Sequence, residues 1–320
     1  MFFLRIRMFL LLAILFAILY AIVTIIGVQI GITNFYFYLF ISLFFMFIQY
    51  LIGPKMVELF MRVKYVDEKD APELHRMVEE LAQKARIPKP KIGISPTYLP
   101  NAFAFGHGVR DGRVCVTQGI LRLLNKDELR AVLGHEISHL KNRDVLTITI
   151  LSVIPMILYR LSWHLMWFGG GRRREERGSN TALIGLIAFI FYFITNLLVL
   201  YASRIREYFA DLGSVKLGNK PSWLATALYK LVYGSARIDR EELREIEGLK
   251  AFFVNDPSRA LNEIYELRQL DLDMSGTIDP NELEVLRTKR IRLGFADKLM
   301  EILSTHPNML KRIKQLAQIA

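Results

Sequence analysis

Long apolar runs constrain the fold of this chain more than any other feature of its sequence. Hydrophobic residues make up 52% of the 320 residues, the mean hydropathy is +0.26, and the excess is concentrated in four blocks. Each block is long enough to cross the hydrocarbon core of a bilayer as a helix. We therefore predict an integral membrane protein. The blocks lie at residues 8–32, 35–52, 145–168 and 181–201.

The first two runs follow each other after barely one turn of chain and predict a transmembrane hairpin. A secretory signal peptide has a shorter apolar core and a small-residue cleavage site. Basic residues flank the pair on both sides, so the positive-inside rule places both of its ends in the cytoplasm. These residues are Arg5, Arg7, Lys55, Arg62 and Lys64.

The second pair of runs is less regular. The loop GGGRRREERGSN (169–180) would lie outside if both runs cross and the chain before them is cytoplasmic, against the positive-inside rule. Pro155, Arg160 and His164 also interrupt the third run. Two interpretations stay open, a hairpin with an atypical loop or an interfacial or re-entrant pair. We favour the hairpin because the glutamates dilute the charge of the loop.

The net charge and the cysteine content limit which binding partners and which cellular compartment are expected for this protein. The formal net charge is +11, from 42 basic and 31 acidic residues. Membrane topology itself requires basic residues beside apolar segments, so we predict no nucleic-acid partner. The single cysteine, Cys115, excludes an internal disulfide and fits a reducing compartment. We expect it to be a small buried apolar residue.

Outside the apolar runs, the pattern predicts mainly α-helix with a small β-sheet. Apolar residues at helical spacing predict a helix over 71–85. Three short segments suit strands, Pro90–Ile94, Asn101–Phe105 and Arg113–Thr117, with turn residues between the last two. Further helices are predicted at 203–217, 221–236, 240–247, 258–270, 280–292 and 295–303, and after Pro307.

The segment HEISH at residues 135–139 carries the clearest chemistry. A variant capping box, Asn125 and Glu128, opens the helix that contains it. Histidines four residues apart project from one helix face, one turn apart. That spacing lets two imidazoles bind one Zn²⁺, and the glutamate beside the first can reach a water molecule on the metal. The segment predicts a zinc site.

Two histidines, His135 and His139, need at least one further protein ligand. Glu207, in SRIREYFAD at 203–211, is the best source, because it follows the fourth apolar run as the histidines precede the third. A hairpin would return both ends to the same membrane face. Asp211, one turn further along that helix face, suits a hydrogen bond to a ligand imidazole. An ordinary helix carboxylate near basic residues remains the alternative for Glu207.

Three separated motifs together resemble a known family. HEISHLKNRD, SRIREYFAD and NAFAFG (Asn101–Gly106) occur in the order found in membrane zinc metalloproteases of the HtpX type. Those enzymes are gluzincins related to the CAAX prenyl proteases. The resemblance covers roughly residues 1–220 and a short motif near the C-terminus. It implies a zincin-like metalloprotease domain attached to membrane segments.

The resemblance also implies roles for individual residues. It makes His135, His139 and Glu207 the zinc ligands and Glu136 the general base. Asp211 matches the family's aspartate after the glutamate ligand.

Two further motifs carry implied roles. NAFAFG implies an edge strand that pairs with substrate backbone, a mode that tolerates many sequences. STHP, with His306, resembles a C-terminal motif in which a histidine stabilises the oxyanion or gates the site; the alternative is that Pro307 only starts a helix. Arg204 is another candidate for the oxyanion. The substrate-strand residues are Asn101, Ala102, Phe103 and Ala104.

A second metal site is predicted in the twelve residues DLDMSGTIDPNE, which match an EF-hand loop. Gly276 stands at position 6, and Ser275 replaces the usual Asp or Asn at position 5. The alternative is an acidic, helix-capping turn without an ion. No partner EF-hand is visible in the sequence. The predicted calcium ligands are Asp271, Asp273, Ser275, Thr277, Asp279 and Glu282.

These elements predict six consecutive segments. They are a transmembrane hairpin (1–53), the first half of a zincin domain (54–144), a second apolar hairpin (145–202), a helical second half with the glutamate ligand (203–257), the calcium loop with its flanking helices (258–293) and a C-terminal HP-motif segment (294–320).

We therefore predict a multi-pass zinc endopeptidase of the plasma membrane with a cytoplasmic catalytic domain. Its expected partners are the bilayer and misfolded or damaged membrane proteins, as in a stress response. A CAAX-type prenyl-peptide protease is one alternative, although four apolar runs are few for its large chamber. A catalytically silent, calcium-responsive membrane scaffold is another. The motif residues at 135, 136, 139 and 207 are all intact, which argues against a catalytically silent protein.

Overall fold

A computed structural model describes residues 35–168, 175–236, 267, 270–288 and 294–320. The chain divides into two units, which we name the apolar unit (Met1–Ile52 with Leu146–Ile205) and the mixed unit (Gly53–Val145 with Arg206–Ala320). Some predictions fall outside the described residues. They concern the apolar run 8–32, the loop residues 169–174, and the helices at 240–247, most of 258–270 and the end of 280–292.

The described elements are named here in chain order. They are α1 (Phe35–Phe60), β1 (Lys64–Tyr65), α2 (Pro72–Ala85), β2 (Lys91–Ser95), β3 (Ala102–Phe105), β4 (Arg113–Thr117), α3 (Gln118–Leu123), α4 (Lys126–Asn142), α5 (Asp144–Phe168), α6 (Glu175–Lys216), α7 (Pro221–Ala236), α8 (Pro280–Thr288), α9 (Phe295–Ile302) and α10 (Met309–Ala317); a 3₁₀ turn spans Val109–Asp111.

Helices α5 and α6 pack against each other within the apolar unit. Leu151, Ile154 and Leu158 of α5 share a buried cluster with Val199 and Ala202 of α6. Because both helices are apolar on several sides, they also expose large side chains. The predicted pairing of the third and fourth apolar runs is therefore present as a packed helix pair.

Two of the described helices are long and apolar enough to cross a membrane, judged by length and composition. The segments are Asp144–Trp163 and Ala182–Lys216. Trp163, Phe193 and Ile190 are about half exposed, as side chains that face lipid would be. Fully buried Thr195 donates its hydroxyl to the carbonyl of Phe191 at 2.8 Å, so its polar group is satisfied within its own helix.

Helix α6 differs from the predicted segmentation. The sequence analysis places a boundary between the apolar run 181–201 and a separate helix at 203–217, whereas α6 runs unbroken from Glu175 to Lys216. No proline, which would break a helix, separates the two stretches. The helical backbone can therefore continue through the junction. The apolar run and the residue Glu207 therefore belong to one continuous helix.

The mixed unit contains a four-stranded sheet in the order β1-β2-β4-β3. Strands β2 and β4 are parallel, and β3 pairs with β4 antiparallel, with Phe103 opposite Cys115. The three strands predicted from the sequence are confirmed to within a residue or two, and β1 is an addition. Gly106 has φ +136°, and a β-carbon there would lie 2.2 Å from the Asp111 carbonyl oxygen, so the turn after β3 requires glycine. Strand β3 forms one edge of this sheet.

Helices α2, α4, α7 and α10 contribute to the core of the mixed unit. Leu133 and Ile137 of α4 are fully buried, and so are Leu228 of α7 and Ile313 of α10. The predicted capping box starts α4: the Asn125 side chain accepts the Glu128 N–H at 2.9 Å, and the Glu128 carboxylate accepts the Asn125 N–H at 3.0 Å. This core packs α4 against the sheet.

Candidate active site

Helix α4 directs both histidines of the HEISH segment to one point. The Nε2 atoms of His135 and His139 lie 3.0 Å apart, and the rings are nearly perpendicular. His135 is 1% exposed and Glu136 4% exposed. The i, i+4 spacing produces this convergence because the two side chains stand one above the other on the helix.

The structure brings Glu207 of α6 to the same point. Its Oε2 atom lies 3.6 Å from His135 Nε2, and its Oε1 atom lies 3.5 Å from His139 Nε2. Three ligand-type atoms of these residues lie within 4.8 Å of one another. The sequence argument that paired Glu207 with the histidines thus agrees with the geometry.

Small residues let α4 and the end of α6 approach closely. A β-carbon on Gly134 would lie 2.3 Å from Nδ2 of Asn219, and one on Gly213 would lie 1.9 Å from Oγ of Ser138. The Ser214 hydroxyl, between these contacts, donates to the Ala131 carbonyl at 2.6 Å. The close crossing keeps Glu207 within reach of the histidines.

Two carboxylates orient the histidine rings from behind. His135 Nδ1 lies 2.8 Å from an oxygen of Asp211, and His139 Nδ1 lies 2.6 Å from an oxygen of Asp144. A proton on each Nδ1 leaves the Nε2 lone pairs directed at Glu207. Asp211 was predicted in this role. Asp144 was missed, although a carboxylate directly after the end of α4 is a usable signal.

Two arginines enter the buried network. Arg312 of α10 is fully buried, donates to both carboxylate oxygens of Asp211 at 2.6 and 2.9 Å, and lies 3.1 Å from Glu207 Oε2. Arg206 pairs with Asp144. The sequence analysis did not assign Arg312 to the site. Its signal is an arginine on the helix face that otherwise carries the buried residues Met309, Ile313 and Leu316.

The electrostatics of the site favour positive charge between the ligand atoms. Burial lowers the pKa of His135 and His139, but the carboxylates more than offset it, so both pKa values are raised. The responsible partners are Asp211 and Glu207 for His135, and Glu207 for His139. Burial raises the pKa of Glu136, and the histidines only partly counter it.

The predicted substrate strand lies beside Glu136. The backbone amide of Ala104 in β3 lowers the pKa of the Glu136 carboxyl, although burial raises it more. Asn101 precedes β3 and is tied to Thr117, whose hydroxyl accepts the Asn101 N–H at 2.9 Å. Ala102 and Phe103 are buried and pair with β4. Strand β3 therefore borders the catalytic centre along one edge of the sheet.

His306 also lies at the site. Its Nδ1 atom is 3.4 Å from Glu207 Oε2, and both ring nitrogens are buried without a hydrogen-bond partner among the described residues. The Arg204 guanidinium lies over the ring of Tyr201, 5.7 Å from its centroid, within the apolar unit. Of the two predicted oxyanion candidates, His306 is the one next to a ligand atom.

The donor set fits a zinc ion. Ligand atoms of a tetrahedral zinc site lie about 3.4 Å apart when each metal–ligand bond is about 2.1 Å long. The two Nε2 atoms here are 3.0 Å apart, and each lies 3.5 or 3.6 Å from one or the other carboxylate oxygen of Glu207. Glu207 Oε2 is buried and accepts no hydrogen bond from the described residues, although the Arg312 guanidinium forms an ion pair with it at 3.1 Å. Two imidazoles, one carboxylate and hydrogen-bonded ring nitrogens are the ligands and supports that zinc uses in enzymes.

The predicted calcium loop forms a turn closed by its own polar groups. Carboxylate oxygens of Asp271, Asp273 and Glu282 lie within 4.8 Å of one another. Asp279 accepts the Glu282 N–H at 2.7 Å, and Glu282 accepts the N–H groups of Asp279 and Leu272 at 3.0 and 2.6 Å. These hydrogen bonds are the ones expected if the loop is an acidic turn that caps the start of α8 without an ion.

The same loop is fastened to α7. The Thr226 hydroxyl accepts the Ile278 N–H at 2.9 Å and donates to the Ile278 carbonyl at 3.1 Å. Tyr229 donates to Asp271 at 3.0 Å, and the hydroxyls of Ser275 and Thr277 bond each other at 2.8 Å. The backbone N–H and carbonyl of Ile278, the eighth residue of the loop, therefore both hydrogen-bond to a side chain of α7.

Comparisons with known proteins agree with this site. The model of "Peptidase family M48" matches residues 68–320. A protease HtpX homolog of Methanothermobacter thermautotrophicus is 51% identical over 72% of this chain and 86% of its own length. A protease HtpX homolog of Moorella thermoacetica is 40% identical over 69% of this chain and 74% of its own length.

A solved structure shares the fold. The crystal structure of S. mikatae Ste24p aligns with a TM-score of 0.50 at 17% identity, over 95% of this chain and 62% of that protein. At this identity the likeness concerns the fold alone. The family match and the curated relatives decide the classification: this chain belongs to peptidase family M48 and is a metalloprotease of the HtpX type.

Proposed function

We propose that this metalloprotease is a zinc-dependent endopeptidase that cleaves misfolded or damaged membrane proteins at the cytoplasmic face of the plasma membrane. The convergence of His135, His139 and Glu207, with Glu136 beside them, carries the proposal. Apolar runs directly flank both ligand-bearing segments in the chain. A site so tethered would meet substrates at a bilayer.

His135, His139 and Glu207 would hold the zinc ion. Bound there, zinc would polarise the scissile carbonyl and lower the pKa of a water molecule to about 7. Glu136 takes a proton from the attacking water and transfers it to the leaving amine. The Ala104 backbone amide favours the charged form of this carboxylate, while Asp211 and Asp144 would keep the two imidazoles in place.

Substrate would bind in an extended conformation along β3. Strand addition uses backbone hydrogen bonds and so accepts many sequences, which suits unfolded segments. His306 is proposed as the oxyanion donor, because its ring nitrogens have no other hydrogen-bond partner among the described residues and one of them lies near Glu207. Arg204 remains the predicted alternative donor.

Membrane orientation rests on the charge pattern. Basic residues before and after the first apolar pair favour cytoplasmic ends, and with them a cytoplasmic catalytic unit. Both apolar helices of the second pair would then have to cross, despite the arginines between them.

The experiment uses full-length, detergent-purified protein and an unfolded protein substrate. Metal is removed by chelation and then Zn²⁺ and Ca²⁺ are restored separately and together. Recovery with zinc alone supports the proposal. Inertness under all conditions supports a silent scaffold, and cleavage confined to a prenylated C-terminal peptide supports a CAAX-type activity.

We also propose that the loop from Asp271 to Glu282 binds Ca²⁺. The observation in its favour is the double hydrogen bond between Thr226 and Ile278, which replaces the backbone pairing that a second EF-hand would supply. Glu282 would exchange its backbone partners for the ion. Calorimetric titration with Ca²⁺ should give heat that Asp271→Ala abolishes, and absence of heat in the unchanged protein would end this proposal.

A further inference from the structure

The end of helix α9 turns apolar side chains outward and one acidic side chain, that of Glu301, inward. Leu299, Met300, Ile302 and Leu303, at the end of the helix and just after it, are 45–51% exposed. Glu301, in their midst, is only 8% exposed and pairs with Lys311 of α10. Surface helices of globular units normally present the opposite arrangement, with the apolar side against the core.

The four exposed residues form one continuous face. At about 100° per residue they fall within an arc of about 160°, and Glu301 lies opposite the middle of that arc. Contiguous exposed apolar surface marks a site of interaction with another protein or a membrane. We name this surface, formed by Leu299, Met300, Ile302 and Leu303, the α9 face.

Charge and chain connectivity point to a lipid surface. The mixed unit is joined to the apolar unit at three places in the chain, after residues 52, 145 and 205, so it is tethered to helices that would lie in a bilayer. Lys298, which directly precedes Leu299, is exposed. Residues 287–298 contribute five basic side chains against one acidic one, which complements anionic lipid headgroups.

We propose that the α9 face lies in the interface of an anionic membrane, with Lys298 among the headgroups. An amphipathic helix with basic flanks and an apolar face is the form of interfacial membrane contact. Only Leu303, Ser304 and Thr305 separate α9 from His306, whose Nδ1 atom lies 3.4 Å from Glu207 Oε2. The membrane contact of the α9 face would therefore lie close in sequence to the proposed zinc site. It would bring the opening of that site to substrate segments embedded in the bilayer, an inference that rests on the proposed function.

The first test measures the membrane depth of a fluorescent label. Cys115 is fully buried, and burial raises the pKa of its thiol to about 12, so an introduced cysteine reacts selectively. Full-length Leu299→Cys protein is labelled with an environment-sensitive dye in nanodiscs of phosphatidylcholine with and without phosphatidylglycerol. Met274→Cys, at a side chain that is 90% exposed in the same unit, is the matched control.

The expected result is blue-shifted emission at position 299 that acyl-chain spin labels quench, more strongly with phosphatidylglycerol, and solvent-like emission at position 274. Solvent-like emission at both positions would overturn the proposal. Protection of position 299 that appears only with added unfolded substrate, or only with rising protein concentration, would assign the face to substrate or to a second copy and would overturn it equally.

The second test separates this contact from the chemistry. The double variant Leu299→Gln/Leu303→Gln should cleave a bilayer-embedded substrate several-fold more slowly but retain full cleavage of a soluble unfolded substrate. Val285→Gln, on α8 and 51% exposed, should leave both rates unchanged. If the double variant changes the two cleavage rates by the same factor relative to the wild-type protein, the α9 proposal is contradicted. If the wild-type protein does not cleave the soluble substrate, the proposed function is contradicted instead.

Discussion

Gly213 and Ser138 meet where α6 crosses α4, so closely that a β-carbon on Gly213 would lie 1.9 Å from the Ser138 hydroxyl oxygen. The contact joins the two helices that carry the proposed zinc ligands. Ser138 directly precedes the proposed ligand His139, and Gly213 follows Glu207 by less than two turns of helix. The spacing of these helices therefore controls how near Glu207 comes to the histidines.

Gly213→Ala should weaken zinc binding and lower stability. Rotating the Ser138 hydroxyl away does not remove the clash, because the new β-carbon would still lie 2.6 Å from the Ser138 β-carbon. Overpacking of this kind costs about 1–3 kcal/mol, and displaced ligand supports lower metal affinity by about 10–100-fold. Zinc affinity is measured by competition with a chromophoric chelator, and stability by thermal unfolding.

Gly108→Ala is the matched control for this substitution. Gly108 has no heavy atom within 4 Å of an added β-carbon, and its φ of 164° is ordinary extended backbone. Its zinc affinity should equal that of the unchanged protein. Wild-type zinc affinity in Gly213→Ala would show that the helix crossing does not control the position of Glu207.

Glu136→Gln should retain zinc and fold while losing proteolysis. The amide preserves the size of the side chain but cannot accept the proton from water, and such acid–base groups contribute about 10²–10⁴-fold to rate. Zinc content is measured by elemental analysis and cleavage with an unfolded substrate. Glu284→Gln, at an exposed position of α8, serves as the control. Undiminished cleavage would exclude Glu136 as the general base.

Arg312→Met should destabilise the mixed unit strongly. The substitution leaves the buried carboxylates of Asp211 and Glu207 without their cation, and breaking a buried pair costs about 3–5 kcal/mol. A fall in Tm of about 10 °C is expected for a unit of this size. Arg287→Met removes an exposed arginine and should change Tm little.

A double variant tests whether the loss comes from the unpaired charge. Adding Asp211→Asn to Arg312→Met removes one of the stranded carboxylates, so the combined cost should be smaller than the sum of the single costs. Additive losses would mean that the two side chains stabilise the protein independently.

Arg86→Gly should stabilise the protein. Arg86 ends α2 in the left-handed region, with φ 59° and ψ 46°, where a side chain other than hydrogen is strained. The expected gain is about 0.5–1 kcal/mol. Lys84→Gly, two residues earlier inside the helix, should instead cost about 1 kcal/mol. Opposite signs for the same replacement, measured by thermal unfolding, would identify backbone conformation as the cause.

Local patterns predicted those parts of the protein that depend on nearby residues. The strand-forming residues of Arg113–Thr117 and the capping box of Asn125 and Glu128 were recognised from neighbouring residues alone, and both elements appear as predicted. The pairing of His135 with His139 follows from helix geometry alone. Their proximity to Glu207 followed from the order of the apolar runs combined with the family resemblance.

Other features depend on contacts between distant residues and were not visible in one-dimensional patterns. Arg312 reaches Asp211 across 101 positions of sequence, and no helical period marks such a pair. Asp144 became a partner of His139 only because α4 ends in a left-handed residue, Arg143, which lets α5 begin at once. The unbroken course of α6 likewise replaced two separately predicted segments.

By itself, the amino-acid sequence determined the apolar helices and the strands beside the site. It also determined the placement of His135, Glu136 and His139 on about one turn of helix. These features follow from short-range periodicity and spacing. Only the tertiary structure decided the distance between Glu207 and the histidines, the buried charge network around Arg312 and the outward apolar side of α9. Those features depend on how closely helices far apart in the chain pack, and small residues such as Gly213 set that closeness.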